Sequence, residues 1–87
     1  METRTPPQVP QYRTSNLEVA AFLIVRNFQI ARVDLNGSIA TFIFDDPDRR
    51  ADAVTREFHN GGQVAASGYS AALKRTRDLM WEARRAS

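Results

Sequence analysis

Gln29-Ile-Ala-Arg-Val-Asp-Leu-Asn36-Gly37-Ser-Ile-Ala-Thr-Phe-Ile-Phe-Asp-Asp-Pro47 sets two alternating apolar runs on either side of Asn36-Gly37. Asn-Gly between such runs is the strongest short-range hairpin signal, because both central residues of a type I′ turn need positive φ and these two tolerate it. A two-residue loop at 36–37 pairs Leu35 with Ser38, Val33 with Ala40 and Ala31 with Phe42. These side chains then share one face with Phe44, and that face is expected to line the core. The reverse face carries Ile30, Arg32 and Asp34 opposite Ile43, Thr41 and Ile39. Its isoleucines need a cover, which another strand, a helix or another molecule can supply.

Upstream, residues 1–11 hold three of the four prolines and one strongly apolar residue, Val9. Such a segment cannot offset its ordering entropy, and a flexible arm is predicted. Ser15-Asn16-Leu17-Glu18 has capping-box spacing before Val19-Ala-Ala-Phe-Leu-Ile-Val25, which predicts a helix over about 16–26 capped by Ser15. Being apolar nearly all round, it is expected to be buried on most faces as a central pillar. Downstream, Asp46 and Pro47 read as N-cap and first residue of a second helix reaching His59. Its narrow stripe is Ala51, Val54 and Phe58, and Gly61-Gly62 supplies the left-handed stop. Ser67 is read as the cap of a last helix extending toward Arg84, with Tyr69, Ala72, Leu73, Thr76, Met80 and Ala83 on its apolar side. The predicted fold is α+β: a helix, a two-stranded antiparallel hairpin, and two further helices packed around the N-terminal helix, in one domain over 12–87.

Eighty-seven residues with a net charge of +2 bury only about 60–65% of their unfolded surface, so a monomer of modest stability or a small homo-oligomer is expected. There is no cysteine, hence no disulfide, thiolate site or cysteine nucleophile, which fits a reducing cytoplasm. The N-terminus has no apolar signal core, and Val19 to Val25 is far too short to cross a bilayer. A cytoplasmic protein with no membrane partner is the expectation.

Catalytic parts are scarce. His59 is the only histidine, so spacing supports neither a zinc site nor a Ser-His-Asp arrangement; in a last helical turn its ring complements the carbonyl end of the dipole. Asp48 and Asp52 lie four apart, yet Arg49 and Arg50 sit between them, and capping accounts for most of the acidic cluster. No enzyme, catalytic residue, metal or cofactor is predicted. The remaining constellation is on the last helix, where about 100° per residue places Lys74, Arg77, Trp81, Arg84 and Arg85 in one sector beside the apolar stripe. Residues 69–87 hold five positive and two negative charges, and 45–57 hold three positive and five negative. A basic strip around a tryptophan is the shape of a site where a base stacks while cations hold phosphates. The same residues also serve a purely structural end, with the indole over the core edge and arginines snorkelling past it.

Tyr12-Arg13-Thr14-Ser15-Asn16-Leu17, Phe42-Ile43-Phe44-Asp45-Asp46-Pro47 and the spacing of Tyr69 through Leu79 resemble a family of small domains of unknown function from bacteria, archaea and their phages. That resemblance carries over no activity; it implies that Tyr12 and Arg13 belong to the folded domain. The expected function is a small non-catalytic accessory module binding nucleic acid weakly through Lys74, Arg77, Trp81, Arg84 and Arg85, with Arg13 as an outlier. The alternative is a protein-interaction or homodimerisation domain, for example a mobile-element protein acting on a host protein, docking through Ile30, Ile39 and Ile43; an acidic protein is a further candidate partner for the basic strip.

Overall fold

The computed structural model describes residues 9–86, in the order β1 (Gln11–Thr14), α1 (Leu17–Val25), β2 (Gln29–Asn36), β3 (Ile39–Asp45), α2 (Ala51–His59) and α3 (Ala66–Ala86). The chain is α+β, but its sheet is three-stranded and antiparallel, in the order β1-β3-β2. β1 starts at Gln11, inside the stretch expected to be an arm; residues 1–8 of that arm lie outside the described residues. It pairs Tyr12 with Phe44 and Thr14 with Phe42, and the Asp46 amide donates to the Pro10 carbonyl at 2.7 Å to extend the contact. β3 is therefore the central strand of a sheet as well as one arm of the hairpin.

The hairpin turns one residue later than Asn-Gly suggested. Asn36 pairs with Ile39, leaving Gly37-Ser38 as the loop, and Gly37 alone of the two candidates has positive φ, at 63°. This is the sign pattern of a type II′ turn, which needs one left-handed residue instead of two and lets Asn36 stay in the ladder. Every partner shifts by two, to Val33 opposite Phe42 and Leu35 opposite Ala40. An even shift preserves parity, so Val33, Leu35, Ala40, Phe42 and Phe44 still share a face. Ala31 does not join them: the register slips between Ile30 and Arg32, Ala31 is exposed, and Ile30 comes opposite Phe44 and packs against the core.

α1 is capped by Asn16, whose Oδ1 accepts the amides of Glu18 and Val19 at 2.9 and 3.1 Å. Ser15 is not the cap; its hydroxyl lies 3.0 Å from that of Thr41 and ties the helix start to β3. Val19 through Leu23 are buried without interruption, as an all-round apolar helix requires. The helix closes in a Schellman motif around Asn27 (φ 69°), with the Asn27 amide on Ile24 and the Phe28 amide on Leu23. α2 ends the same way, with Gly61 at φ 84° and the Gly62 amide 2.8 Å from the Glu57 carbonyl.

α2 starts four residues later than expected. Pro47 and Asp48 form a turn, Arg49 takes φ 54°, and only then does the helix begin. The N-cap position is Arg50 and not Asp46, yet the Asp46 Oδ1 reaches across that turn to accept the amides of Arg50 and Ala51 at 2.8 and 3.1 Å. α3 starts at Ala66, so Ser67 lies inside its first turn. The core joins Val19, Ala20 and Leu23 of α1 to Phe42 and Phe44 of β3 and Ala51 of α2. α3 packs along α1 and also touches β2, whereas α2 rests on α1.

Candidate nucleic-acid interface

Twenty-one residues give α3 nearly six turns, rich in alanine and punctuated only by Gly68 near its start. Ala72 and Thr76 are its buried residues, and the Thr76 hydroxyl donates to the Ala72 carbonyl, so burial leaves it satisfied. With that side fixed against α1, the sector holding Lys74, Arg77, Trp81 and Arg85 is turned to solvent and all four are exposed. Trp81 keeps 56% of its surface, which rules out a role as a sealed core edge.

The five residues of the strip do different things. Lys74 is paired with Asp78 at 3.0 Å, and Asp78 falls inside the basic sector, a neutralising partner that counting cations alone overlooks. Arg84 is half-buried; its Nη2 donates to the Ser38 carbonyl at 2.8 Å and its guanidinium stands 5.9 Å from the Trp81 ring centroid. It braces the hairpin tip and the indole together. Arg77 and Arg85 are exposed and make no ion pair among the described residues. Arg13 borders an open depression of about 680 Å3 together with Asp34, Leu35, Thr41, Ala83 and Ala86. The expected outlier thus stands near the C-terminal end of α3.

The three isoleucines expected to form a docking face are separated. Ile30 packs toward the core because of the bulge at Ala31. Ile43 has 0% exposure, lying in a cross-strand row between Arg13 and Arg32 that only a third strand could create. Ile39 alone is open, at 55%, and it directly follows Ser38, the residue that Arg84 holds. The structure therefore dissolves one predicted surface and brings its remaining member to the end of the molecule that carries Trp81.

The acidic stretch is likewise divided. Asp46 is buried with its carboxylate on the amides of Arg50 and Ala51, Asp52 pairs with Arg56 at 2.9 Å, and no group of three or more metal-ligating side chains occurs among the described residues. His59 is exposed and stands edge-on to Phe58 at 5.5 Å. No helix among the described residues is long and apolar enough to cross a membrane. Comparison with protein families, characterised proteins and solved structures finds no match to this chain.

Proposed function

We propose that the protein is a non-catalytic module that binds single-stranded nucleic acid weakly, stacking a base on Trp81 while Arg77 and Arg85 hold flanking phosphates. The supporting observation is the exposed indole at the centre of the basic sector, with one face of its surroundings set by Arg84. A tryptophan this open makes a poor contribution to the core, whereas base–aromatic stacking is worth about 1–3 kcal/mol and tolerates any base. Lys74 contributes less than its charge suggests because Asp78 competes for it.

Trp81 is the sole tryptophan, so its fluorescence reports on the site directly. Titration with a single-stranded oligonucleotide at low salt is expected to quench it saturably. Two or three phosphate contacts imply a slope of log affinity against log salt of about −1.4 to −2. Unchanged emission at high oligonucleotide concentration and low salt refutes the reading.

A second reading rests on Ile39. Val9, Ile39 and Trp81 are the large apolar side chains left exposed among the described residues, and two of them flank the contact of Arg84 with Ser38. A protein partner seated on that end predicts binding that is insensitive to salt and weakened by Ile39→Asp.

A further inference from the structure

A separate pocket lies where the first two turns of α1 meet the end of α2 and the start of α3. It is an open hollow of about 410 Å3 lined by Glu18, Phe22, Phe58, Gly62, Val64 and Tyr69, among others. Its walls are built rather than incidental. Phe22 and Phe58 pack at 5.1 Å between centroids, tilted by 50°. The Gly62 backbone is drawn so close to α2 that a Cβ there would lie 2.9 Å from the Glu57 carbonyl oxygen. The Tyr69 hydroxyl reaches the Glu18 carbonyl at 3.4 Å, joining the starts of α3 and α1.

Volume and lining fall in the range of small-molecule sites, mostly apolar with a few convergent polar groups. Glu18 makes no ion pair among the described residues, while Arg26, whose guanidinium stands 5.4 Å from the Phe22 ring centroid, is engaged by Glu57. An unpaired carboxylate at the mouth of an aromatic pocket attracts positive charge, and aromatic rings favour a poorly hydrated cation over a neutral body of the same shape. We infer that this pocket binds a small organic cation, an alkylammonium carried on an apolar body, with Glu18 facing the charge and Phe58 and Tyr69 facing the alkyl groups.

Choline and its uncharged carbon isostere 3,3-dimethylbutan-1-ol are suitable probes, titrated into the full chain and followed by amide NMR. Choline is expected to shift Gly62, Gln63 and Val64 saturably and to bind about tenfold more tightly than the isostere. Glu18→Gln, at an exposed position, should weaken choline about fivefold and leave the isostere unchanged. Phe58→Leu, which keeps the pocket apolar, should lower the preference for the cation to about fivefold, the share that Glu18 supplies. No saturable shift, equal binding of the two probes, or indifference of choline to Glu18→Gln overturns the assignment. The Trp81 indole signal is outside this site and is expected to stay fixed throughout.

Discussion

Asp46 ties the start of α2 to the segment that leads into β1. The residue is 7% exposed; its carboxylate accepts two amides at the start of α2 while its own amide donates to Pro10 beside β1. Asp46→Ala leaves the buried Ala51 amide and the part-buried Arg50 amide without a partner, and a loss of about 2 kcal/mol is expected in urea denaturation. Asn16 and Ser15 offer a sharper comparison. Asn16→Ala removes the acceptor of two helix amides and should cost about 1 kcal/mol, whereas Ser15→Ala removes an exposed hydroxyl contact with Thr41 and should cost less than half as much. Equal losses would show that the Ser15 side chain shares the capping. Adjacent Ser and Asn are both good caps by residue type, so the sequence could mark the place without choosing between them; the choice falls to Asn16 because Thr41 claims Ser15.

The elements were legible in proportion to how much of their order is local. α1, the hairpin and the double-glycine stop of α2 each declare themselves by periodicity or turn chemistry within a few residues. β1 does not, since Gln-Tyr-Arg-Thr has one large apolar residue and becomes a strand only because Phe42 and Phe44, some thirty residues away in sequence, give Tyr12 and Thr14 a ladder. The basic sector of α3 was readable from helical phase alone. That Arg84 would spend its guanidinium on a carbonyl 46 positions away was not, and neither was the pocket beside Glu18, which depends on three elements meeting. α3 and α1 also meet through Tyr69, whose phenol is pushed above its ordinary value of 10.0 by burial and by the neighbouring Glu18 carboxylate. A raised folded pKa means that this contribution to stability is complete below 10.0 and is lost as pH rises through the folded value. Stability measured in alkaline buffers should therefore fall progressively above that point, and Tyr69→Phe should remove this part of the loss.

At the scale of the whole molecule, charge is separated: an acidic side around the start of α2 and a basic end on α3, with a small net excess of cations. The proposed strand-binding end has both a recognition group and a brace, and substitution should tell them apart. Arg77→Ala is expected to lower oligonucleotide affinity severalfold with no change in melting temperature, because an exposed arginine without a partner contributes little to stability. Arg84→Ala should lower both, costing about 1 kcal/mol through the lost contact with the hairpin tip. Affinity and melting temperature measured on the two variants check the distinction.

The position of β3 has a consequence for any shortened form of the chain. Removing residues up to Thr14 would strip Ile43 of one flanking arginine and turn a paired central strand into a bare rim of amides and carbonyls. Such rims template edge-to-edge association. The truncated protein is expected to keep much of its helical circular dichroism yet to scatter light on standing at concentrations where the full chain stays clear.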